Sequence, residues 1–417
     1  MIEFEEDERV SMQLSRTLGA KTGLCTEIMV HRPRQDDPAR GISANGRKPD
    51  LGRFLGVDSG VELTAFGKGA SKTEAVVTLL GETVERYTPY VGRSPGVEAT
   101  YEELAADHPM VDPAYFRFHD DETRERFNEH SEEHSLGPFR VSETRSWIAG
   151  TDLRTGERTY VPMEMVYNAA GVSERPIFPT TSNGLACHER LDRALVSGLY
   201  EVLERDAFVE TWFTDASRRR IRTDAFPTEN EYVRLNVLEL DGEIDVPTLA
   251  CVALRREEKP PYACCCGSAG RTYREAVASM LWEYSQLHHY DTSPSDDVDP
   301  RTITDLSENV SYYANPDNRG PIDRFVDVPE RPGDPIAEET SPPDDEDELE
   351  YLVSELDAAG VTPIGFDLTP PDIREEGLAV ARVVVPELLS LSYPSFPFDA
   401  HPKLDGKITT DAPHPIP

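Results

Sequence analysis

The chain has 417 residues, enough for one large domain or two ordinary ones with a substantial core. It carries 78 acidic against 42 basic residues, a formal net charge of −36, and a field of that size should repel nucleic acid and anionic membranes. Because molar salt screens such self-repulsion, the acidic surface is typical of a halophile, a cell with a very salty cytoplasm.

The first part of the chain, residues 1–50, is a polar segment. Its beginning, Met1 to Arg9, has no basic stretch followed by an apolar one, so it does not match a secretory signal peptide. No apolar run in the chain approaches the length of about 18 residues that suggests a membrane span. Six cysteines in a chain of this length do not make a disulfide scaffold. We therefore expect a cytoplasmic protein without membrane segments.

Residues 51–417 are expected to form one large domain with acidic insertions near 101–145 and 291–345. Apolar residues at helical spacing predict helices over 71–86, 189–212 and 272–289, and a further helix ending near residue 359. Strands are predicted as a pair within 147–161, as a second pair at 249–254 and 262–266, and as core strands at 361–368 and 379–385. The first part of the second insertion is expected to be loops. This order predicts an α+β fold.

A short motif of two glutamates and an arginine recurs on the predicted helices. It occurs twice in full and once in part, as Glu82-x-x-Glu85-Arg86, Glu201-x-x-Glu204-Arg205 and Glu283-x-x-Gln286. Positions i, i+3 and i+4 share one helix face, so each motif presents its groups in one direction. Carboxylate oxygens suit magnesium, and arginine binds phosphate through paired hydrogen bonds. Helices facing one cavity would form a polyphosphate site, although either motif taken alone is more typical of ordinary surface ion pairs, each worth about 0.2–0.5 kcal/mol.

Glycine-containing segments precede the first two of these helices, as Gly67-Lys68-Gly69-Ala70-Ser71 and Ser182-Asn183-Gly184. Glycine permits close backbone approach to a ligand, and Ser or Asn can cap a helix N-terminus that favours phosphate. Neither segment is a P-loop, and a dinucleotide-binding fingerprint is missing from the chain as well. The sequence therefore predicts a nucleotide site of an unusual kind.

Jointly, these stretches resemble the YcaO family. The resemblance is carried by Gly67–Tyr87, Ser182–Ala186 running on to Glu201–Ala207, Ala276–Gln286, Trp147–Pro162 and Phe366–Pro386, and it covers roughly residues 50 to 417. It implies an ATP-binding catalytic domain without a P-loop, in which mixed sheets and helices enclose a nucleotide cleft. Magnesium is then held by glutamates of the helices.

The resemblance carries over to this chain residue by residue. The implied metal-site residues are Glu82, Glu85, Glu201, Glu204 and Glu283, and which of them binds which metal stays open. The implied nucleotide contacts are Lys68, Ser71, Arg86, Asn183, Arg205 and Gln286.

The sequence ends with Pro413-His-Pro-Ile-Pro417, which is similar to the tail of family members that make azolines. Proline fixes φ, so this tail is stiff and is expected to bring the Pro417 carboxylate to a defined place. A disordered, proline-rich end is the alternative. We take the Pro417 carboxylate as the candidate catalytic base.

The function implied by the resemblance is ATP- and magnesium-dependent cyclodehydration of a ribosomally made peptide. A Cys, Ser or Thr side chain attacks the preceding backbone carbonyl, the amide oxygen leaves with the γ-phosphoryl group of ATP, and an azoline forms. Two alternatives stay open: backbone thioamide formation with external sulfide, and a non-catalytic ATP-binding scaffold. We expect a separate leader-binding partner resembling the ubiquitin-activating-enzyme superfamily, and leave homo-oligomerisation open.

Other conspicuous side chains are interpreted as structural. Cys264 to Cys266 alternate between the faces of a predicted strand and form no Cys-x-x-Cys pair, so packing is favoured over metal binding. Cys187 is interpreted as a packing residue and not as a nucleophile. His288 and His289 are interpreted as a solvated helix end, and the acidic run 344–350 as a solvated helix start that the helix dipole favours.

Overall fold

The structure is a computed structural model. It describes residues 17–19, 23–48, 52, 63–91, 94–131, 135–167, 175–178, 181–257, 259–289, 292–295, 298–339 and 348–417. Predictions that fall on 1–16 or on 340–347, which includes most of the acidic run before the last long helix, lie outside these residues.

The described chain contains both helices and strands, which occur in runs and do not strictly alternate. The α-helices are α1 (Lys72–Val91), α2 (Tyr101–Asp107), α3 (Asp121–His130), α4 (Leu191–Thr214), α5 (Tyr273–His288), α6 (Leu306–Ala314), α7 (Gly320–Val326), α8 (Pro335–Glu338), α9 (Glu348–Ala359) and α10 (Pro371–Glu375). The strands are β1 (Glu27–His31), β2 (Ile42–Arg47), β3 (Phe66–Gly69), β4 (Val97–Ala99), β5 (Arg145–Asp152), β6 (Arg158–Pro162), β7 (Leu185–His188), β8 (Arg218–Arg220), β9 (Val233–Leu240), β10 (Thr248–Arg255), β11 (Ala263–Ala269), β12 (Ile364–Asp367) and β13 (Ala379–Val384).

The described strands form three sheets. Sheet 1 has the order β1-β2-β3, sheet 2 has the order β11-β10-β9-β8, and sheet 3 has the order β4-β5-β12-β13-β7 with β6 beside β5. All pairings between these strands are antiparallel, whereas mixed sheets were expected. Short connections explain part of the difference, because a tight turn can join only antiparallel neighbours. One such turn joins β5 to β6 at Gly156, where φ is +75°.

Each of the three helices that carry the glutamate motifs packs against two sheets. Helix α1 lies on β3 and β2 of sheet 1 and reaches β7 of sheet 3. Helix α4 lies between β13 and β7 of sheet 3 and β11 and β10 of sheet 2. Helix α5 packs on β11 and β10 of sheet 2 and on β3 and β2 of sheet 1. The three helices therefore surround a common interior.

Apolar periodicity explains why these helices lie where they do. Ala75 and Leu79 of α1 are buried with Ala44 of β2, while Leu199 and Leu203 of α4 cluster with strand residues of β13. The N-termini of two of the helices are capped by side chains, as the sequence pattern favours. Ser71 Oγ accepts a hydrogen bond from Glu74 N at 3.2 Å, and Thr272 Oγ1 accepts one from Glu275 N at 3.1 Å.

The expectation of loops in the first part of 291–345 was wrong. Helices α6 and α7 lie there, because their aromatic side chains complete the main core. Tyr313 and Phe325 are almost fully buried, with ring centroids 6.1 and 5.1 Å from that of Trp212. The acidic and proline-rich composition of the segment conceals these few apolar positions.

Other predicted elements are confirmed within a few residues. The α+β fold is confirmed, and so are the strand pairs and the three motif helices. The N-terminal polar segment contributes β1 and β2, which pair with β3, while the domain division at residue 50 stays a prediction. None of the helices in the described part of the chain combines the length and the apolar character that crossing a membrane requires.

Candidate nucleotide site

A cavity of about 1470 Å3 lies between the three motif helices. It is lined by all of the residues that the sequence predicts for the site, which are Lys68, Ser71, Glu82, Glu85, Arg86, Asn183, Glu201, Glu204, Arg205, Glu283, Gln286 and Pro417. Small-ligand pockets usually measure about 300–1,000 Å3, so this cavity has room for a nucleotide and for part of a second ligand.

Lys68, at the end of β3, is the point where the three motif helices meet. Its ammonium forms an ion pair with Glu283 of α5. Burial lowers the pKa of Lys68, while the nearby carboxylates of Glu82 on α1 and Glu204 on α4 act in the opposite direction. Glutamates from all three motif helices therefore lie near one lysine, which is the convergence that the family resemblance implies.

Helix α1 orients its glutamates through the backbone of β3 and through Arg86. Glu82 accepts a hydrogen bond from Phe66 N at 3.1 Å and another from Arg86 Nη2 at 3.1 Å. Glu85 Oε1 lies 3.9 Å from Arg86 Nε. Burial holds the pKa of Glu85 well above its usual range, despite Arg86 beside it.

Helix α4 orients its glutamates in a similar way. Glu201 accepts a hydrogen bond from Gly184 N at 2.9 Å, and Glu204 Oε1 lies 3.3 Å from Arg205 Nη1. Burial raises the pKa of Glu204. Gly267 of β11 makes room for this carboxylate, because a Cβ at that position would lie 2.7 Å from Glu204 Oε1.

The remaining predicted residues have other contacts on the cavity wall. Ser71 caps α1, Asn183 donates a hydrogen bond to Ser390 Oγ, and Gln286 is buried. Their described hydrogen bonds do not connect them to the five predicted metal-site glutamates. They share the cavity with the glutamates, and their role as nucleotide contacts stays a prediction.

Arg382 is a functional candidate that the sequence analysis missed. It lies on β13, is 3% exposed, and donates from Nη1 to Thr181 O at 2.9 Å. Burial lowers the pKa of Arg382 to about 10, although the nearby carboxylates of Glu201 and Glu85 act to raise it. The only signal in the sequence was a single charge within the apolar run Ala379–Val384.

The Pro413–Pro417 tail is fixed against the cavity. Pro415 and Pro417 line the cavity, while His414 and Ile416 are buried at 0% and 1% exposure. His414 Nε2 lies 2.9 Å from Ser392 O. The prediction of a defined place for this tail is therefore supported over a disordered end.

Three interpretations of other side chains need correction or comment. His288 is not solvated, because its Nε2 lies 3.0 Å from Asp36 Oδ1 and its side chain is 9% exposed. Glu348 is also buried, since Arg193 and Tyr200 of α4 both donate to its carboxylate at 2.8 Å. Cys187 lines the cavity, but burial raises its pKa, which supports packing over nucleophilic chemistry.

The same side chains fit a nucleotide with magnesium. Within the described residues, Glu204 Oε1, Arg86 Nε and Arg205 Nε are buried without a hydrogen-bond partner. Seven glutamates against one lysine and three arginines line the cavity in that part of the chain. A polyanion would therefore need cations to enter. Burial is the main cause of the raised pKa values of Glu85 and Glu204, and the neighbouring arginines offset it only in part. No three His, Cys, Asp or Glu side chains in the described residues are grouped closely enough to hold a metal ion by themselves, so these carboxylates would hold Mg2+ only together with phosphate oxygens of the nucleotide.

Comparison with known proteins shows the family to which the chain belongs. The family model described as YcaO cyclodehydratase, ATP- and Mg2+-binding, matches residues 66–389. The chain therefore belongs to the YcaO family. An uncharacterised protein of Methanothermobacter thermautotrophicus is 25% identical over 359 residues, which make up 79% of this chain and 82% of that protein.

Solved structures confirm the fold. A heterocyclase in complex with substrate and cofactor matches with a TM-score of 0.77 at 20% identity, over 98% of this chain and 57% of the heterocyclase. The YcaO protein of Methanopyrus kandleri bound with AMPPCP and Mg2+ matches with a TM-score of 0.63 at 20% identity, over 92% of this chain and 91% of that one. This chain thus spans little more than half the length of the heterocyclase.

Proposed function

We propose that this chain is an ATP- and Mg2+-dependent peptide cyclodehydratase, which converts Cys, Ser or Thr residues of a ribosomally made peptide into azolines. The observation that carries the proposal is the cavity itself, where glutamates of three helices and the Pro417 tail meet. The family description as a cyclodehydratase and the heterocyclase fold support the same chemistry.

The glutamates of the cavity are the proposed ligands of Mg2+, namely Glu82, Glu85, Glu201, Glu204 and Glu283. The proposed nucleotide contacts are Lys68, Ser71, Arg86, Asn183, Arg205 and Gln286. When bound, ATP supplies the phosphoryl group that makes the amide oxygen a leaving group, and Mg2+ neutralises the charge. The protein positions the reactants and stabilises charge through preorganised groups, which is where most of the rate enhancement arises.

The Pro417 carboxylate is the proposed proton acceptor. Ring formation releases the proton of the attacking thiol or hydroxyl and the proton of the amide nitrogen, so a base is needed beside the peptide. Pro417 lines the cavity at the end of an ordered tail, and a carboxylate there can accept a proton.

Partners and conditions are also part of the proposal. We propose that a separate leader-binding protein resembling the ubiquitin-activating-enzyme superfamily presents the peptide to this chain. Self-association is left to measurement. The net charge of −36 favours activity at molar salt in the cytoplasm of a halophile.

The test combines the chain, ATP, Mg2+, molar salt, and a Cys/Ser/Thr-rich peptide and partner protein encoded in neighbouring genes. Mass spectrometry should show the loss of one water molecule per ring, together with phosphate release. Exchange of oxygen for sulfur would instead identify a thioamide-forming enzyme. Bound ATP without phosphate release or a change in peptide mass would contradict the proposal and favour a scaffold.

A further inference from the structure

The backbone of the tail is held by side chains from two helices. Asn309 of α6 donates from Nδ2 to His414 O at 2.6 Å and to Ile416 O at 2.8 Å. Nearby, Tyr313 Oη donates to Pro413 O at 2.7 Å, and Trp212 Nε1 of α4 donates to Ala412 O at 3.1 Å. Asn309 therefore binds two carbonyls of the segment that ends beside the cavity.

The tail needs such external donors because of its composition. Three of its five residues are prolines, which have no backbone N–H, so the tail cannot hold itself in a helix or a regular strand. Its carbonyl groups must be satisfied from elsewhere once they are buried. Side chains of α6 therefore meet a requirement that the Pro-x-Pro-x-Pro pattern creates.

The two hydrogen bonds of Asn309 are related to which tail residues line the cavity. His414, Pro415 and Ile416 are all buried, but only Pro415 and Pro417 of the tail line the cavity. Sliding the tail by one residue would exchange the residues that line the cavity with those that do not. The two bonds of Asn309 engage carbonyls two residues apart, and they act together with the His414 N–H, which donates to Pro394 O at 3.0 Å.

The amide of Asn309 is used as a donor only. Asn309 is 0% exposed, and its Oδ1 has no hydrogen-bond partner among the residues that the structure describes. An unsatisfied buried acceptor carries a cost, so packing alone does not account for an amide at this position. Asn309 is also absent from the described lining of the cavity, so it can act on a reaction there only through the tail.

We propose that Asn309 is a positioning residue, which fixes the distance between the Pro417 carboxylate and the reacting amide. This inference rests on the proposed role of Pro417. It assigns a function to α6, a helix in the segment where the sequence predicted loops.

The first test replaces Asn309 by Ala. Misplacing a reacting group by about 1 Å can cost about 100-fold, so kcat should fall roughly 10- to 100-fold while KM for ATP changes less than about threefold. The matched control is Asn236→Ala in β9, because Asn236 is also buried and donates to a single carbonyl, Val252 O, at 3.1 Å. The control should retain kcat at equal folded fraction. Equal losses of kcat in both variants would overturn the inference.

The second test combines Asn309→Ala with deletion of Pro417. Residues that act as one unit are non-additive, so the double variant should be no slower than the deletion alone. Losses that multiply would show that Asn309 acts independently of Pro417 and would overturn the inference.

The third test does not depend on turnover. Hydrogen exchange of the His414 and Ile416 amides, measured by mass spectrometry, should be slow in the wild type and in Asn236→Ala, and at least about 10-fold faster in Asn309→Ala. Unchanged exchange would contradict the anchoring of the tail. If the wild type were inactive on every peptide, the proposed function would fail, and this measurement would still decide whether Asn309 anchors the tail.

Discussion

Helix α4 carries charged side chains on two faces, and the two faces differ in how completely these charges are paired within the protein. The cavity face consists of Glu201, Glu204 and Arg205. Among the described residues, Glu204 Oε1 and Arg205 Nε on this face are buried without a hydrogen-bond partner. Its charges are therefore incompletely paired inside the protein.

The other face belongs to a lysine cluster, which consists of Lys403, Asp206, Glu210 and Glu243. Lys403 Nζ lies 2.7, 3.2 and 2.8 Å from carboxylate oxygens of these three acidic residues in turn. The second oxygen of Asp206 accepts a hydrogen bond from Leu389 N at 2.8 Å. Burial raises the pKa of Asp206 to about 6, although Lys403 opposes this.

Acidic and basic residues on one helix thus serve two purposes. In the lysine cluster every charge has a partner within the protein, so the cluster can only hold the fold together. On the cavity face the charges border a large opening, and a ligand can complete their pairing. Incomplete pairing next to a cavity, and not the residue types, distinguishes the candidate site.

The largest expected difference is between Glu204→Gln and Asp206→Asn, two residues apart on α4. Glu204→Gln removes a proposed metal ligand and should lower kcat at least about 100-fold, with little loss of stability. Asp206→Asn removes a partner of a buried lysine and should cost about 3–5 kcal/mol of unfolding free energy, while the folded fraction stays active. Phosphate release and urea unfolding in molar salt measure both effects. Full activity in Glu204→Gln would remove the metal assignment.

Lys403→Met sharpens the same contrast from the other side of the cluster. It leaves three carboxylates facing one another, so the unfolding free energy should fall by about 3–5 kcal/mol. Because salt screens the repulsion between these carboxylates, the loss of unfolding free energy should be smaller in molar salt than in low salt. Urea unfolding at several salt concentrations provides the measurement. A loss below about 1 kcal/mol would mean that the cluster is a surface-type ion pair.

His401→Gln tests the lysine-cluster region by pH. His401 is 0% exposed, its Nε2 lies 2.9 Å from Pro386 O, and its Nδ1 accepts a hydrogen bond from Lys403 N at 3.3 Å, so the neutral ring fits the site. Burial lowers the pKa of His401 to about 4. The pKa of His401 is lower in the folded protein than in the unfolded chain. The stability that the neutral ring contributes is therefore fully present above about pH 6.5 and is lost as the pH falls through about 4.

The wild type should therefore lose on the order of 3 kcal/mol more than His401→Gln between pH 7 and pH 4. Asp206 titrates in both proteins, so its contribution cancels in the difference. Urea midpoints across this range give the comparison. Parallel curves for the two proteins would show that His401 does not titrate as its burial implies.

The smallest expected effect comes from Gly267→Ala. The new Cβ would lie 2.7 Å from Glu204 Oε1, the mobile end of a side chain, so the carboxylate should move while the fold tolerates the change. We expect that half-maximal turnover will require about 10-fold more Mg2+, equivalent to about 1.4 kcal/mol of binding free energy, and that the melting temperature will change little. Gly242→Ala is the control, because its nearest atoms lie 3.6 Å away. Equal Mg2+ dependence in both variants would contradict the proposed role of Glu204.

The sequence predicted the parts of the site that follow local rules. Helical spacing placed Glu82 and Glu201 on helix faces, and the Gly67–Ser71 segment precedes α1 as expected, whereas β7 lies between the Ser182–Gly184 segment and α4. Convergence on one cavity came from the family resemblance, since spacing within one helix says nothing about its distance from another. The α+β fold class followed from the order of the predicted helices and strands.

Residues that act through distant contacts could not be predicted. Arg382 of β13 lies near the carboxylates of Glu201 and Glu85, and Asn309 reaches a tail more than a hundred residues away in sequence. Glu348 and His288 were taken as solvated because both lie at helix ends, yet each finds a charged or polar partner on another element. Only tertiary packing reveals such pairings.

The three motif helices each join two of the three sheets, and this arrangement has a thermodynamic consequence. A ligand that contacts all three helices would stabilise the packing of all three sheets at the same time. Its binding free energy would then appear as a rise in the melting temperature of the whole chain, as mass action requires for a ligand that binds only the folded form. Thermal denaturation alone, without any substrate peptide, can therefore report whether nucleotide and metal enter the cavity together.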